Sequence, residues 1–147
     1  MIRKHLAKPF KWVWAEDPCL DREAESFSEK WKEWEETGNP EVLPTSDKLT
    51  VFDCKPLIAS HYLAVMRLFT PDQTITMDAL AEAVRRGVEQ VHGYVFDGGD
   101  VRLTDKDFRN GRMTDAAFEK IWDPHLCFAL GAEILMRSRL DPTRGQG

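Results

Sequence analysis

TMDALAEAVRRGVEQVHG, residues 76–93, carries the clearest secondary-structure signal in the chain. Its larger apolar residues recur at helical spacing, and they are Met77, Leu80, Val84, Val88 and Val91. Such a stripe predicts an amphipathic helix with one face on a core. Thr76 is a suitable N-cap because its hydroxyl can accept a hydrogen bond from the first helical turn. We therefore predict a helix from Thr76 to about Gly93.

Three elements are predicted on the C-terminal side of this stretch. The sequence DGGD at 97–100 lies between two short extended runs and predicts a hairpin turn, because glycine tolerates positive φ. Thr114 can cap a short helix. The Asp-Pro pair at 123–124 begins a last helix that runs to Leu140 and is apolar on most sides. Gly131 would allow this helix close contact with a neighbour.

An acidic helix is predicted on the N-terminal side. Residues 16–41 hold ten acidic residues, and apolar residues recur there at steps of four and three: Leu20, Ala24, Phe27, Trp31 and Trp34. This pattern predicts a helix with one apolar and one acidic face, beginning at Asp17 and ending at Gly38. The β-branched and aromatic residues of 48–54 indicate a strand, and a second helix is predicted between Pro56 and Thr70.

The first fifteen residues form a basic segment in which cations alternate with aromatic side chains. We predict that this arm docks on protein, since aromatic anchors carry much of the energy of protein interfaces. Stacking on bases and contact with a membrane interface are less favoured alternatives. The predicted partner-binding residues are Arg3, Lys4, Lys8, Phe10, Lys11, Trp12 and Trp14.

The overall prediction is a mainly α fold: about five helices in one compact domain, with a short strand and hairpin element and an extended N-terminal arm. The arm covers residues 1–15, the helical domain 16–141 and a tail 142–147. A chain of 147 residues with 42% hydrophobic residues suits a single domain. Its net charge of −5 disfavours nucleic acid as a partner.

The sequence shows no catalytic motif and no metal-binding pattern, so we predict a protein that is not an enzyme and that uses no cofactor and no metal. Cys19, Cys54 and Cys127 are far apart, and neither His125 nor His61 completes a zinc pattern with them. The acidic residues near the hairpin do not match a calcium loop, and they are Asp97, Asp100, Asp105 and Asp107. Carboxylate pairs assembled only by the fold stay open.

No apolar run has the length of a signal peptide or a membrane span, so the chain is expected to stay in the compartment where it is made, without a membrane partner. The basic residues Lys4, Lys8 and Lys11 interrupt the only apolar stretch near the N-terminus.

Residues 46–140 resemble the small tail-assembly chaperones and related morphogenesis proteins of tailed bacteriophages. The resemblance lies in the order of three segments: FDCKPLIASHYLAVMRLF, MDALAEAVRRGVEQVHGYVFDGG and MTDAAFEKIWDPHLCFALGAEILMRSRL. It implies a non-enzymatic protein that binds tape-measure and tail-tube proteins through apolar helix faces. The expected location is the host cytoplasm, or the virion if the chain is retained there.

Two alternatives to an assembly chaperone stay open. One is a minor virion component, such as a capsid accessory protein or a head-to-tail connector. The other is an inhibitor that binds a basic host protein through the acidic helix. The expected partners are other phage structural or assembly proteins, with a homo-oligomer as a further option.

Overall fold

The computed structural model describes residues 8–139 and shows a mixed α/β fold. It contains five helices, with 44% of residues helical and 17% in strands that form three small sheets. The prediction of a mainly α fold is therefore wrong. The strand content was underestimated because these strands have two to five residues each, too short for a clear alternating pattern.

The largest sheet has three antiparallel strands in the order β1-β2-β3. The strands are β1 (Phe10–Trp12), β2 (Val51–Cys54) and β3 (Val88–His92). The strand predicted at 48–54 is confirmed by β2. Phe10 lies opposite Cys54, and Trp12 lies opposite Phe52.

Part of the predicted N-terminal arm belongs to this sheet, because Phe10–Trp12 forms its edge strand β1. The cause is nonlocal: the strand is held by pairing with β2, and the rings of Trp12 and Phe52 lie 5.8 Å apart. Residues 1–7, and the tail predicted at 142–147, lie outside the described residues.

Helix α1 (Phe27–Thr37) begins ten residues later than predicted. Asp17 does not cap a helix there; its carboxylate accepts hydrogen bonds from the backbone N–H groups of Cys19 and Thr50. Residues 18–26 follow turns instead, and Leu20 forms a bridge with Thr45. The predicted end is confirmed: Gly38 has φ +69°, and its N–H donates to the carbonyl of Trp34.

Helices α2 (Ala59–Met66) and α3 (Met77–Gly87) follow β2. The predicted N-cap of α3 is confirmed, since Thr76 Oγ1 accepts a hydrogen bond from the N–H of Ala79 at 3.1 Å. The helix ends at Gly87, however, and Val88–His92 continues as β3 rather than as helix. Pairing with β2 decides this outcome for a stretch rich in β-branched valine.

The C-terminal half adds two hairpins and two helices. The predicted hairpin is confirmed, but its turn is Asp97-Gly98: Gly99–Asp100, predicted as turn, forms β5 and pairs with β4 (Val95–Phe96). A second hairpin joins β6 (Phe108–Arg109) to β7 (Arg112–Met113). The predicted helices are confirmed as α4 (Asp115–Ile121), capped by Thr114, and α5 (Pro124–Arg139). Short 3₁₀ turns occupy Pro40–Val42 and Asp105–Asp107.

Apolar clusters cover both faces of the three-stranded sheet. On one face, Phe52, Cys54 and Val91 pack with α3 and α5 in the main core. On the other face, Val13 and Val51 pack against Trp34 of α1 and its neighbours. Helices α3 and α5 therefore cover one face of the sheet, and the cluster around α1 covers only part of the other, where Lys11 is exposed. Within residues 8–139, no helix combines the length and apolar character needed to cross a membrane.

Candidate protein-binding groove

The segment predicted to bind a partner alternates its side chains between the two faces of the sheet. Phe10, Trp12 and Trp14 are half-buried against the main core, whereas Lys11 is exposed on the opposite face. Arg137 of α5 stacks on the ring of Phe10, with its Cζ atom 4.4 Å from the ring centroid. These aromatic residues therefore have intramolecular contacts that the sequence alone did not indicate. Lys8 is exposed, and Arg3 and Lys4 lie outside the described residues.

Lys11 belongs to a chain of charged and polar groups across the sheet. Its Nζ atom lies 2.8 Å from Asp53 Oδ1, and His92 Nε2 lies 2.7 Å from Asp53 Oδ2. Burial alone would raise the pKa of Asp53, but hydrogen bonds from Lys11 and His92 outweigh this effect and lower it. The ion pair links β1 to β2 on the exposed face of the sheet.

The backbone of Lys11 faces away from the sheet. Lys55 N–H donates to the carbonyl of Gly87 at 2.8 Å, and the register shift beside Cys54 adds a residue to β3 rather than to β2. The odd-numbered residues of β2 therefore direct their backbone groups to β3. The even-numbered residues Phe52 and Cys54 therefore bond to β1, through Trp12 and Phe10. It follows that the N–H and C=O of Lys11 point outward, along an edge of the sheet that is open among the described residues.

A groove of about 1120 Å³ runs along this edge. One wall is the C-terminal part of α1, from Trp31 to Gly38, and the other is the face of α5 that carries Phe128 and Arg137. The predicted residues Lys8, Phe10, Lys11, Trp12 and Trp14 all line it. The structure thus brings together every described member of the predicted set, in one concave site.

The groove is acidic. Six carboxylate side chains line it against three cations, and the carboxylates are Glu16, Glu35, Glu36, Asp53, Glu89 and Glu133. Two of the three cations are engaged within the chain, Lys11 with Asp53 and Arg137 with Glu133. Among the described residues, Glu16, Glu35 and Glu36 have no ion-pair partner and are exposed. The charge of the described lining residues is therefore net negative, which favours a positively charged partner.

The opposite edge of the sheet is closed by a side chain. Gln90 of β3 donates from Nε2 to the carbonyl of Leu103 at 2.9 Å, and its Oε1 accepts from the N–H of Leu103 at 2.8 Å. The same oxygen accepts from the N–H of Val91 at 3.2 Å. The Gln90 amide thus links the edge of β3 to the segment that follows β5. This role leaves no local signal in the sequence, because it depends on a residue thirteen positions away.

The cysteines weighed for chemistry are not activated. Burial raises the pKa of the Cys54 and Cys127 thiols, and burial together with Asp17 and Asp47 raises that of Cys19. A thiol with a raised pKa is a poor nucleophile at neutral pH because little thiolate is present. Among residues 8–139, no group of three His, Cys, Asp or Glu side chains is arranged to hold a metal ion.

His125 and His61, the histidines considered as ligands, lie in different surroundings. His125 is exposed on α5 and lines the groove. His61 is half-buried against the turn at Gly111, where burial and then the nearby charges of Arg86 and Lys55 lower its pKa. Of the acidic residues near the hairpin, Asp107 forms a capping box with Thr104.

A second, smaller cavity of about 270 Å³ lies beside Trp14, Asp17 and Tyr94. The Asp17 side chain is buried, but both of its oxygens accept backbone hydrogen bonds. It therefore serves the fold and has little capacity left for a ligand.

Comparison with known proteins gives no relative: no protein-family model, no curated protein and no solved structure matches the chain. The groove along β1 is accordingly assigned on its own geometry and charge.

Proposed function

We propose that this chain is a non-enzymatic protein-binding subunit, acting in phage-type particle assembly in the manner of a tail-assembly chaperone. One observation supports the binding site: Lys8, Phe10, Lys11, Trp12 and Trp14, selected from the sequence as partner-binding residues, line a single groove. A concave surface with aromatic side chains and an excess of one charge suits recognition of another polypeptide. The assembly context is an extension from the sequence resemblance.

The site can be tested by photo-cross-linking from within the groove. A benzoylphenylalanine replaces Lys8 in the full chain, which is produced in its natural context, and the cross-linked partner is identified by mass spectrometry. The control carries the same group at Glu119, an exposed residue of α4 outside the groove. We expect a structural or assembly protein of a phage particle to be linked at position 8 and not at position 119. Equal labelling at both positions, or labelling only of proteins unrelated to a particle, would contradict the proposal.

Purified particles distinguish the two assembly functions. A chain that is cross-linked during assembly and absent from finished particles acts as a chaperone. A chain present in particles at a fixed ratio is a structural component, and the chaperone function is then wrong.

A further inference from the structure

We infer that the open edge of β1 binds an extended segment of a partner protein as an additional strand, and that this segment carries lysine or arginine. The inference rests on the proposed function and specifies the chemistry of the same groove. Strand addition of this kind draws its affinity from backbone hydrogen bonds and its selectivity from side-chain contacts on either side.

The backbone evidence is the orientation of Lys11. Its N–H and C=O point away from β2, into the groove, where a strand about 4.8 Å away could bond to both. Pro9 has no N–H to offer, so it limits the bonding edge on the N-terminal side. Proline and lysine on an edge strand also discourage indiscriminate pairing of sheets. The edge is thus open but restricted, as a selective docking strand requires.

The walls supply positions for the side chains of such a segment. Alternate side chains of an added strand would point toward α1 and toward α5, because these helices pack on opposite faces of the sheet. On the α5 side, Phe128 is 60% exposed and lines the groove, although it is a large apolar residue. On the α1 side, Trp31 lines the groove and is only half-buried. These two rings give an extended segment apolar contacts on both faces.

Charge selects a basic segment. Glu35 and Glu36 lie at the C-terminal end of α1, the end at which the helix dipole is negative, and both line the groove. No basic residue lies in the last turn of α1 to offset them. Glu16 adds a third exposed carboxylate. A lysine or arginine in the docked segment would therefore be attracted to this wall.

A second copy of the chain is a poorer occupant. Pairing β1 with β1 of another copy about Lys11 would place the two Lys11 residues directly opposite each other, and like charges in that position are destabilising. A shift that places Pro9 opposite Lys11 forms one hydrogen bond fewer, because Pro9 has no N–H. A basic segment from a different protein avoids both problems if the residue opposite Lys11 is uncharged and a cation elsewhere on the same face of the added strand meets Glu35 or Glu36.

The first test uses fluorescent peptides with the full chain. The probe has about six residues, the usual length of a strand, and carries lysine near each end with uncharged β-branched residues between, so that an uncharged residue can stand opposite Lys11. One control peptide has glutamate for lysine, and another keeps the lysines but carries N-methyl groups on alternate amides. We expect the lysine peptide to raise fluorescence anisotropy at low salt and to bind at least about tenfold more tightly than either control. Equal binding of the N-methylated peptide would overturn strand addition, and equal binding of the glutamate peptide would overturn the charge assignment.

A matched pair of variants tests the backbone of Lys11. Lys11→Pro removes the outward N–H, and Lys11→Ala removes the side chain but keeps that N–H. Both variants lose the contact with Asp53, so the difference between their affinities for the peptide reports the hydrogen bond made by the N–H of residue 11. We expect the proline variant to bind the lysine peptide about tenfold more weakly than the alanine variant. Equal affinities would overturn the proposal, and the N-methylated peptide keeps it testable if the proline variant unfolds.

Charge variants test the wall. Glu35→Gln combined with Glu36→Gln should weaken binding of the lysine peptide several-fold and reduce its dependence on salt. Glu119→Gln, which changes an exposed glutamate outside the groove, should leave both unchanged. If the two glutamate positions on α1 behave like Glu119, the acidic wall does not recognise the partner.

Other occupants would give distinct results. A dimer in sedimentation experiments that Lys11→Pro abolishes would assign the groove to a second copy and overturn the proposal. If the lysine peptide binds only after deletion of residues 1–7, the groove is assigned to the chain's own N-terminal segment. That result would also overturn the proposal. If the peptide fails to bind while position 8 still cross-links a particle protein, strand addition is wrong and the proposed function stands. If the peptide binds but position 8 cross-links no particle protein, strand addition stands and the proposed function in particle assembly is wrong.

Discussion

Gly131 of α5 lies so close to Leu80 of α3 that a Cβ atom at position 131 would stand 2.5 Å from the carbonyl oxygen of Leu80. The sequence prediction that Gly131 permits close helix contact is thereby confirmed. The contact joins the two helices that pack on the main-core face of the sheet, the face of Phe52 and Val91.

Gly131→Ala should destabilise the fold by about 1–3 kcal/mol, because the new methyl group meets backbone atoms that cannot move independently. Helix propensity alone would give the opposite sign, since alanine is favoured over glycine by roughly 1 kcal/mol in a helix. Urea unfolding measures the change. Gly99→Ala is the control, because a Cβ there has only an ordinary contact at 3.8 Å. A Gly131→Ala protein as stable as the unmodified chain would show that α3 and α5 are less tightly packed than described.

Glu82 should make stability depend on pH. Its carboxylate is bound by Arg112 at 2.6 and 2.9 Å and by Arg86 at 2.7 Å. Burial opposes ionisation, but these hydrogen bonds outweigh it and lower the pKa of Glu82 from 4.5 to about 2. Since the folded-state pKa is the lower one, the ionised group stabilises the fold above about pH 4.5, and this contribution is lost as the pH falls toward about 2.

Glu82→Gln should therefore lower the free energy of unfolding at pH 7 by roughly 1–3 kcal/mol, and the difference from the unmodified chain should shrink as the pH falls below 4.5. Denaturant unfolding at a series of pH values measures both effects. Glu133→Gln breaks the more exposed pair with Arg137 and should cost at most about 0.5 kcal/mol. A difference for Glu82→Gln that stays constant with pH would contradict this account.

Thr76 should contribute through its hydroxyl rather than its bulk. The Oγ1 atom accepts from the N–H of Ala79 and donates to the carbonyl of Leu68 at 2.6 Å. Thr76→Ala loses both hydrogen bonds and should lower the free energy of unfolding by about 1 kcal/mol, whereas Thr76→Ser keeps them and should lower it much less. Thermal unfolding of the two variants checks the difference. If serine and alanine are equally destabilising, the cap does not stabilise α3.

Gln90→Ala should release the segment around Leu103 from the edge of β3. The substitution leaves the N–H and C=O of Leu103 without their partner, and it should cost about 1–3 kcal/mol. Hydrogen exchange at the Leu103 amide should accelerate by about tenfold or more. Arg102→Ala, a change at the exposed neighbour, should leave that exchange rate nearly unchanged. If the Leu103 amide exchanges as slowly in the Gln90→Ala protein as in the unmodified chain, other contacts hold the segment.

Elements with local signals could be predicted from the sequence. The caps at Thr76 and Thr114, the stop at Gly38 and the hairpin turn at 97–98 each depend on a side chain or a φ angle within a few residues. Such interactions are visible in a short stretch of sequence, because the residues that satisfy the backbone are neighbours along the chain.

Two of the errors arise from distant contacts. Asp17 reads as a helix cap, but its carboxylate bonds to Thr50, thirty-three positions away. Val88 and Val91 fit a helical stripe, yet pairing with β2 makes them part of a strand. The same limit applies to the groove: the residues from 8 to 14 were singled out from the sequence, whereas Phe128, Arg137 and the acidic wall join them only through the fold.

The Gln90 amide has a consequence beyond local stability. With the β3 side occupied by the Leu103 segment, the sheet offers the outward backbone of Lys11 as its bonding edge within the described residues. Endless polymerisation by strand pairing requires two complementary edges on every molecule. Because the Gln90 amide engages Leu103, this sheet lacks a second free edge at that position, and growth of a chain of molecules through β3 is disfavoured there.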